Sequence, residues 1–442
     1  MAVGIRIALG EQDGCSDGAE RMRCRTLTSP DDAERDRDDE RGDRQQGEGE
    51  GEGGEVERSQ IGHRDQSERR QHELQQLLES VHHVTDDTSG WLRRSLGSMS
   101  DLRELLGIRH PILLGAFGGM SSVALTAAVS ESGGLGAYGL YGYDGARIRE
   151  TAADLRRATD KPFALNTWLP TGDEALPGPQ HSVFAQALEP FYEAVGVEVP
   201  HRPERYLPSL EEQLEAIWDA APAALSVVFG VPSAEVVAEA HRRGVRVIGT
   251  ATTVAEAVAL EAGGVDAVIA SGAEAAGHRV SFLRPTEESL VGTIALVPQV
   301  VDAVSVPVIA AGGIADRRGV AAALALGASG VQVGTAFLAT AQSAATDAHR
   351  AAIRATAADE TVLTRAMSGR LARGVRNRAV RAIEASGTIA PFPMQNWLTG
   401  RFRAAAGEQN LGELQSLWLG QAAPLARHDD ARAVFEELLA GV

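Results

Sequence analysis

Two stretches decide the fold: Ala310-Ala311-Gly312-Gly313-Ile314 and Val331-Gln332-Val333-Gly334-Thr335, each a short apolar run broken by glycine. Between them Arg317–Leu326 reads as a helix, with Asp316 placed to cap it. This is the form of a strand, a glycine turn, a helix and a second strand ending in glycine. In (β/α)8 barrels the loops after strands seven and eight, with a short helix N-terminus, make a phosphate site. Backbone N–H groups must approach phosphate oxygens closely, and a Cβ would obstruct them. Thr335 adds a hydroxyl. The competing reading is tight turn geometry with no ligand.

Working outward, short apolar runs alternate with helical patterns from Asp101 onward. The expected strands are Ile112–Leu114, Leu135–Ala137, Phe163–Leu165, Leu225–Phe229, Arg246–Gly249, Ala267–Ala270, Val308–Ala310 and Gly330–Val333. Their near-continuous apolar character suits strands buried on both faces. Ser233 and Thr253 stand where helices begin, and Gly133-Gly134, Gly244, Gly263-Gly264 and Gly327 where helices turn back. The fold class is therefore α/β, a (β/α)8 TIM barrel spanning 99–340. A long insertion at 169–223, carrying helices over Ser182–Val195 and Ser209–Ala220, has the length of a lid. Beyond Thr340 the pattern is helical without an evident strand, so 341–442 is expected as a helical subdomain packed on the barrel.

Residues 1–98 have another character. Asp31–Arg44 alternates acids and arginines, and Gln45–Gly54 reads QQGEGEGEGG. Such a stretch buries too little apolar surface to offset its ordering entropy, so a disordered extension is expected, with at most a short helix over His72–His83. Met99 opens a run that resembles a natural start, and 1–98 is expected to be absent from the native protein.

The net charge of −18, from 60 acids against 42 bases, disfavours nucleic acid or an anionic membrane as partner. No apolar run approaches the roughly 20 residues of a membrane span. Cys15 and Cys24 are the two cysteines and both lie in the extension, so the barrel has no cysteine nucleophile or thiolate metal site, and a cytoplasmic setting is expected. No metal site is expected.

The stretch Ser271-Gly272-Ala273-Glu274-Ala275-Ala276-Gly277-His278-Arg279 follows the sixth strand. Its histidine titrates near neutrality and, on a loop at the barrel mouth, suits a general base removing an acidic carbon proton. An inert surface histidine is the alternative. Glu274 reads as a structural cap and Arg279 as a solvated cation. Asn166, closing the third strand, offers an amide to a ligand ring edge, and Trp168 either covers the site or the core. Gly115–Met120 (GAFGGM) ends the first strand and leaves room for a flat ring or a tight turn.

With those residues in view, the segment Leu102–Leu425 resembles the nitronate monooxygenase family, most tellingly in SGAEAAGHR (Ser271–Arg279), AAGGIAD (Ala310–Asp316) and GVQVGTAFL (Gly330–Leu338). The resemblance implies FMN, its phosphate held near Gly312, Gly313, Gln332, Val333, Gly334 and Thr335. It implies ring contacts from Asn166 and from the loop through Ser271, Ala276 and Gly277, and a base at His278. The implied reaction oxidises alkyl nitronates, or nitroalkanes, with O2 to a carbonyl compound and nitrite. Small-molecule substrate and O2 are the implied partners, and a homodimer is left open. Departures from the family pattern are Ala276 and Val280 where glycines are usual, Ser271 where glutamine is common, and GAFGGM in place of a Pro-Met form. Three rivals remain at this stage: an FMN- and NAD(P)H-dependent enoyl-thioester reductase, a flavin-free barrel acting on a sugar phosphate, and a non-catalytic flavin-binding protein.

Overall fold

The computed structural model describes residues 101–442. The expected extension 1–98, its short helix, both cysteines and the reading of Met99 lie outside the described residues.

Eight parallel strands form the barrel: β1 (Ile112–Leu114), β2 (Gly136–Gly139), β3 (Phe163–Trp168), β4 (Ala224–Val228), β5 (Arg246–Ala251), β6 (Ala267–Ser271), β8 (Val308–Ala311) and β9 (Gly330–Val333). The two-residue strand β7 (Gly277–His278) lies outside the barrel sheet. Each barrel strand pairs with its neighbour in chain order, for example Leu165 with Leu225 and Ala270 with Ala310. Pairing of Ile112 with Val331 joins the last strand to the first, and a bridge between Leu113 and Leu135 closes the ring. The (β/α)8 class is the one the sequence implies. Strands β1, β2, β6 and β8 are buried at every residue, as their unbroken apolar runs require.

Helices start where a side-chain oxygen can take an orphan amide. Ser233 accepts from the amide of Val236, Thr253 and Glu256 form a reciprocal capping box, and Asp316 accepts from Arg318 and Gly319.

Two departures from the sequence reading have physical causes. The helix expected over Ser182–Val195 is two helices, His181–Ala187 and Glu189–Val195. Pro190 begins the second, because its ring fits a first turn and cannot continue a helix. The segment beyond Thr340 is not purely helical. Strands β10 (Thr361–Thr364) and β11 (Ala372–Val375) pair antiparallel, and β11 pairs again with β7. The strand pattern was hidden by Arg373, a charge at a buried position. Its guanidinium donates to the carbonyl of Ala273 at 2.9 Å and to Thr361 Oγ1 at 2.9 Å.

The insertion and the C-terminal segment share a second core. Leu188, Tyr192 and Val195 from the insertion pack with Met394, Leu398 and Phe402 of the helix Met394–Glu408. Phe191 stacks on Phe402 at 5.2 Å between ring centroids.

Candidate active site

The paired glycine turns come first. Gly312 and Gly313 follow β8 with φ of +100° and +72°, a region that residues with a Cβ rarely adopt. A Cβ on Gly312 would fall 3.1 Å from the carbonyl oxygen of Gly272, so this turn lies directly on the loop after β6. Gly334 follows β9 and Thr335 opens the helix Thr335–Leu338. The first-turn amides of that helix have no intrahelical acceptor. Two bare glycine turns beside such a helix start fit a phosphate. Gln332 sits between β9 and β1, its amide 3.5 Å from the carbonyl of Leu114. Val333 is buried at the strand end. Phe117, from the Gly115–Met120 turn, comes within 3.5 Å of where a Cβ on Gly334 would stand.

The loop expected to carry the base is held rather than free. Gly277 and His278 form β7 and pair with Arg373 and Ala372. Arg279 is 2% exposed, which corrects its reading as a solvated cation. Its guanidinium donates to the carbonyls of Gly272 at 2.7 Å and Ser271 at 2.8 Å, while its Nε has no partner. Burial, then the neighbouring Arg373, lowers its pKa to about 10. Glu274 accepts from the backbone amide and hydroxyl of Thr293, capping the helix Thr293–Ala303. Ala276 lies half-buried beside Gly420.

His278 is half-buried, and its Nε2 lies 2.8 Å from Ser368 Oγ. Burial, followed by the charges of Arg370 and Arg403, pushes its pKa down to about 3. The ring is therefore neutral at physiological pH. Its tautomer follows from hydrogen-bond accounting. The Ser368 hydroxyl spends its one proton on the carbonyl of Arg370 at 3.0 Å and accepts from the Arg370 amide. It can only accept from His278, so Nε2 carries the proton and Nδ1 keeps a lone pair.

Aromatic rings surround the imidazole. Trp168, the last residue of β3, lies 4.9 Å from His278, 4.3 Å from Tyr141 and 4.8 Å from Phe229 between centroids, and Trp418 lies 5.7 Å from His278. Asn166, two residues earlier in a strand that runs further than expected, is 6% exposed, and its amide reaches the Ser226 carbonyl at 3.2 Å. Arg370 stacks over Phe392 at 3.9 Å and pairs with Asp173 and Glu174 of the insertion. Beside this cluster a cavity of about 570 Å³ is lined by Phe229, Arg370, Phe392 and the stretch 281–287.

The structure thus brings the Gly312–Gly313 and Gly334–Thr335 turns together with Ser271, Ala276 and Gly277, and sets His278 against the end of β3. Ser368, Tyr141, Asn396, Arg403, Trp418 and Gly420 belong to the same region and were not singled out from sequence. They come from turns and a helix without a motif. Gly420 donates its amide to Thr335 Oγ1 at 3.1 Å, tying the C-terminal segment to the second glycine turn. Among the described residues no three His, Cys, Asp or Glu side chains gather as a metal-holding group.

Fold and site together define a (β/α)8 barrel with paired glycine turns after its last two strands and a neutral, buried imidazole on the loop that follows its sixth. The family model for nitronate monooxygenase matches residues 99–441. A probable nitronate monooxygenase of Staphylococcus aureus strain Newman is 38% identical over 345 residues, covering 76% of this chain and 96% of the relative. The solved nitroalkane oxidase from Streptomyces ansochromogenes is similar at a TM-score of 0.68 and 35% identity, covering 77% of this chain and 97% of that one. FabK from Thermotoga maritima is similar at 0.60 and 29%, covering 78% and 96%. The chain belongs to the nitronate monooxygenase family, and it is a flavin-dependent oxidoreductase.

Proposed function

We propose that this enzyme binds FMN and oxidises alkyl nitronates with O2 to a carbonyl compound and nitrite, His278 serving as the base when the substrate arrives as a neutral nitroalkane. The observation that carries the reading is the neutral, Nδ1-basic imidazole fixed by Ser368 on the short strand β7, in the loop that packs on the Gly312 turn.

Residues suited to the cofactor are named by their chemistry. Gly312, Gly313, Gly334 and Thr335 would take the phosphate, with Gln332 and Val333 at its edge. Asn166, Ser271, Ala276 and Gly277 would line the ring. When bound, FMN supplies the electron acceptance and oxygen reactivity that these side chains lack.

The chain's own part is binding and proton transfer. Nδ1 of His278 accepts the carbon proton of a nitroalkane, and the imidazolium is then held through Nε2 by Ser368. Burial makes that imidazolium costly, so proton removal is uphill until negative charge forms beside it. A nitronate needs no such step, which favours it over the neutral nitroalkane. The aromatic wall of Trp168, Phe229 and Trp418 keeps water from the reacting centre. A cytoplasmic setting belongs to the same proposal, supported by the lack of cysteine among the described residues.

The test is the purified full chain mixed with a preformed alkyl nitronate in air, with O2 uptake, nitrite and the visible flavin spectrum followed. Nitrite release in step with O2 uptake is expected. A yellow protein that releases no nitrite but oxidises NAD(P)H with an enoyl thioester would replace this reading with the reductase one.

A further inference from the structure

Arg403, on the helix Met394–Glu408, carries a buried charge with no carboxylate partner among the described residues. Its Nη1 donates to Ser416 Oγ at 2.8 Å, its Nη2 donates to Asn396 Oδ1 at 2.7 Å, and its Nε has no acceptor. A guanidinium only donates, so the Asn396 oxygen must face it. That orients the rest of the amide. Asn396 Nδ2 therefore donates to Tyr141 Oη, at 2.8 Å. The phenol accepts there, and its own proton has no acceptor among the described residues. The sequence of donors runs one way, from the charged guanidinium through the amide to a phenolic O–H.

The ring that carries this O–H joins the aromatic cluster that reaches His278. The Tyr141 ring lies 4.3 Å from Trp168, and Trp168 lies 4.9 Å from His278. The charge of Arg403 acts on both His278 and Tyr141. Burial raises the Tyr141 pKa to about 12, so the phenol keeps its proton at working pH. A charge-polarised donor with no acceptor among the described residues, one aromatic ring removed from the base, calls for a negatively charged oxygen.

We propose that Tyr141 donates its hydrogen bond to an anionic oxygen of the substrate, with Arg403 and Asn396 as positioning residues that keep it a donor. The ligand class is a small planar oxyanion on an alkyl carbon, the shape shared by nitronate and carboxylate. The inference rests on the proposed nitronate reaction for its substrate, but the donor chain stands on geometry alone. Asn396→Asp would reverse its direction. A carboxylate accepts from both Arg403 and Tyr141, so the phenol proton would turn away from the substrate.

Isobutyrate, a carboxylate isostere of the propane-2-nitronate anion, and its neutral amide isobutyramide are the probes. Calorimetric titration of the flavin-loaded full chain compares wild type, Tyr141→Phe and Asn396→Asp. Isobutyrate affinity should fall about 10- to 100-fold in both variants, the range of a hydrogen bond to a charged acceptor. Isobutyramide should weaken less in each variant, by about 2- to 13-fold, as for a neutral acceptor. Equal losses for acid and amide, unchanged affinities in both variants, or a wild type that does not bind isobutyrate would each overturn the proposal. Nitrite release by wild type, run in parallel, judges the reaction separately. A chain that releases no nitrite yet loses isobutyrate as described keeps the anion site and loses the nitronate reading.

Discussion

Ser368→Ala removes the acceptor that fixes the His278 tautomer. Ser368 is fully buried, and its Oγ lies 2.8 Å from His278 Nε2. A neutral hydrogen bond of this kind contributes about 1–1.5 kcal/mol, or roughly 5- to 13-fold in the rate of a step that needs the ring held. If the tautomers then become equally populated, the basic form at Nδ1 falls by a further factor of about two. The expected loss in kcat/KM for a neutral nitroalkane is therefore roughly 10- to 25-fold. Oxidation of a preformed nitronate, which needs no base, should change by less than about threefold. The alanine also removes two bonds within the turn to Arg370, so some loss of stability is expected. A double-mutant cycle separates the two effects. On a His278→Ala background, Ser368→Ala should have almost no further effect on nitroalkane turnover. A loss that persists undiminished on that background, or one equal for nitroalkane and nitronate, would refute the tautomer argument.

His278→Ala itself should lower nitroalkane turnover by roughly 10²- to 10⁴-fold, the usual contribution of a general base, and spare preformed nitronate; equal losses by stopped-flow assay of both substrates would remove the base assignment. Gly420→Val places a Cβ 2.7 Å from the Glu274 carbonyl and 3.2 Å from the Ala276 amide, an overpacking that costs about 1–3 kcal/mol, so a lower Tm and faster flavin loss on desalting are expected. An unchanged Tm and retained flavin would show that the C-terminal segment does not hold the grip. The pH dependence of stability follows from His278 and His349, whose folded pKa values are about 3 and about 4 against 6.5 for a free ring. Above 6.5 both states leave the rings neutral and stability is level. As pH falls below that, the unfolded chain binds protons that the folded one refuses, so the unfolding free energy drops by about 2 kcal/mol per ring by about pH 5. Urea titrations of His278→Ala and His349→Gln should show a shallower fall between about pH 6.5 and pH 5, and an unchanged slope would contradict the burial of these rings.

The barrel was legible because its strands are short, mostly apolar runs alternating with helical patterns, and because two of them are followed by glycine turns. What stayed hidden depends on partners far away in the chain. Arg373 disguised β11, since its buried charge is satisfied by Ala273 and Thr361, which no local pattern reveals. His278 was legible as a candidate base but not as part of a strand, because β7 has two residues and its partner lies nearly a hundred positions later. Arg279 read as solvated because the carbonyls it clasps belong to the loop it closes. Tyr141, Asn396 and Arg403 carry no spacing signature at all, and only their convergence gives them a shared direction of hydrogen bonding.

The pairing of β7 with β11 also sets an order of events during synthesis, since chains emerge and fold from the N-terminal side. By Thr335 the ribosome has made all eight barrel strands and both glycine turns. The partner of β7 is not complete until Val375, Arg403 and Trp418 come later, and Gly420, which ties down Thr335, later still. A nascent barrel can therefore hold both glycine turns while its imidazole lacks both its strand partner and its tautomer-setting serine. The surroundings of the imidazole are therefore completed well after the barrel itself.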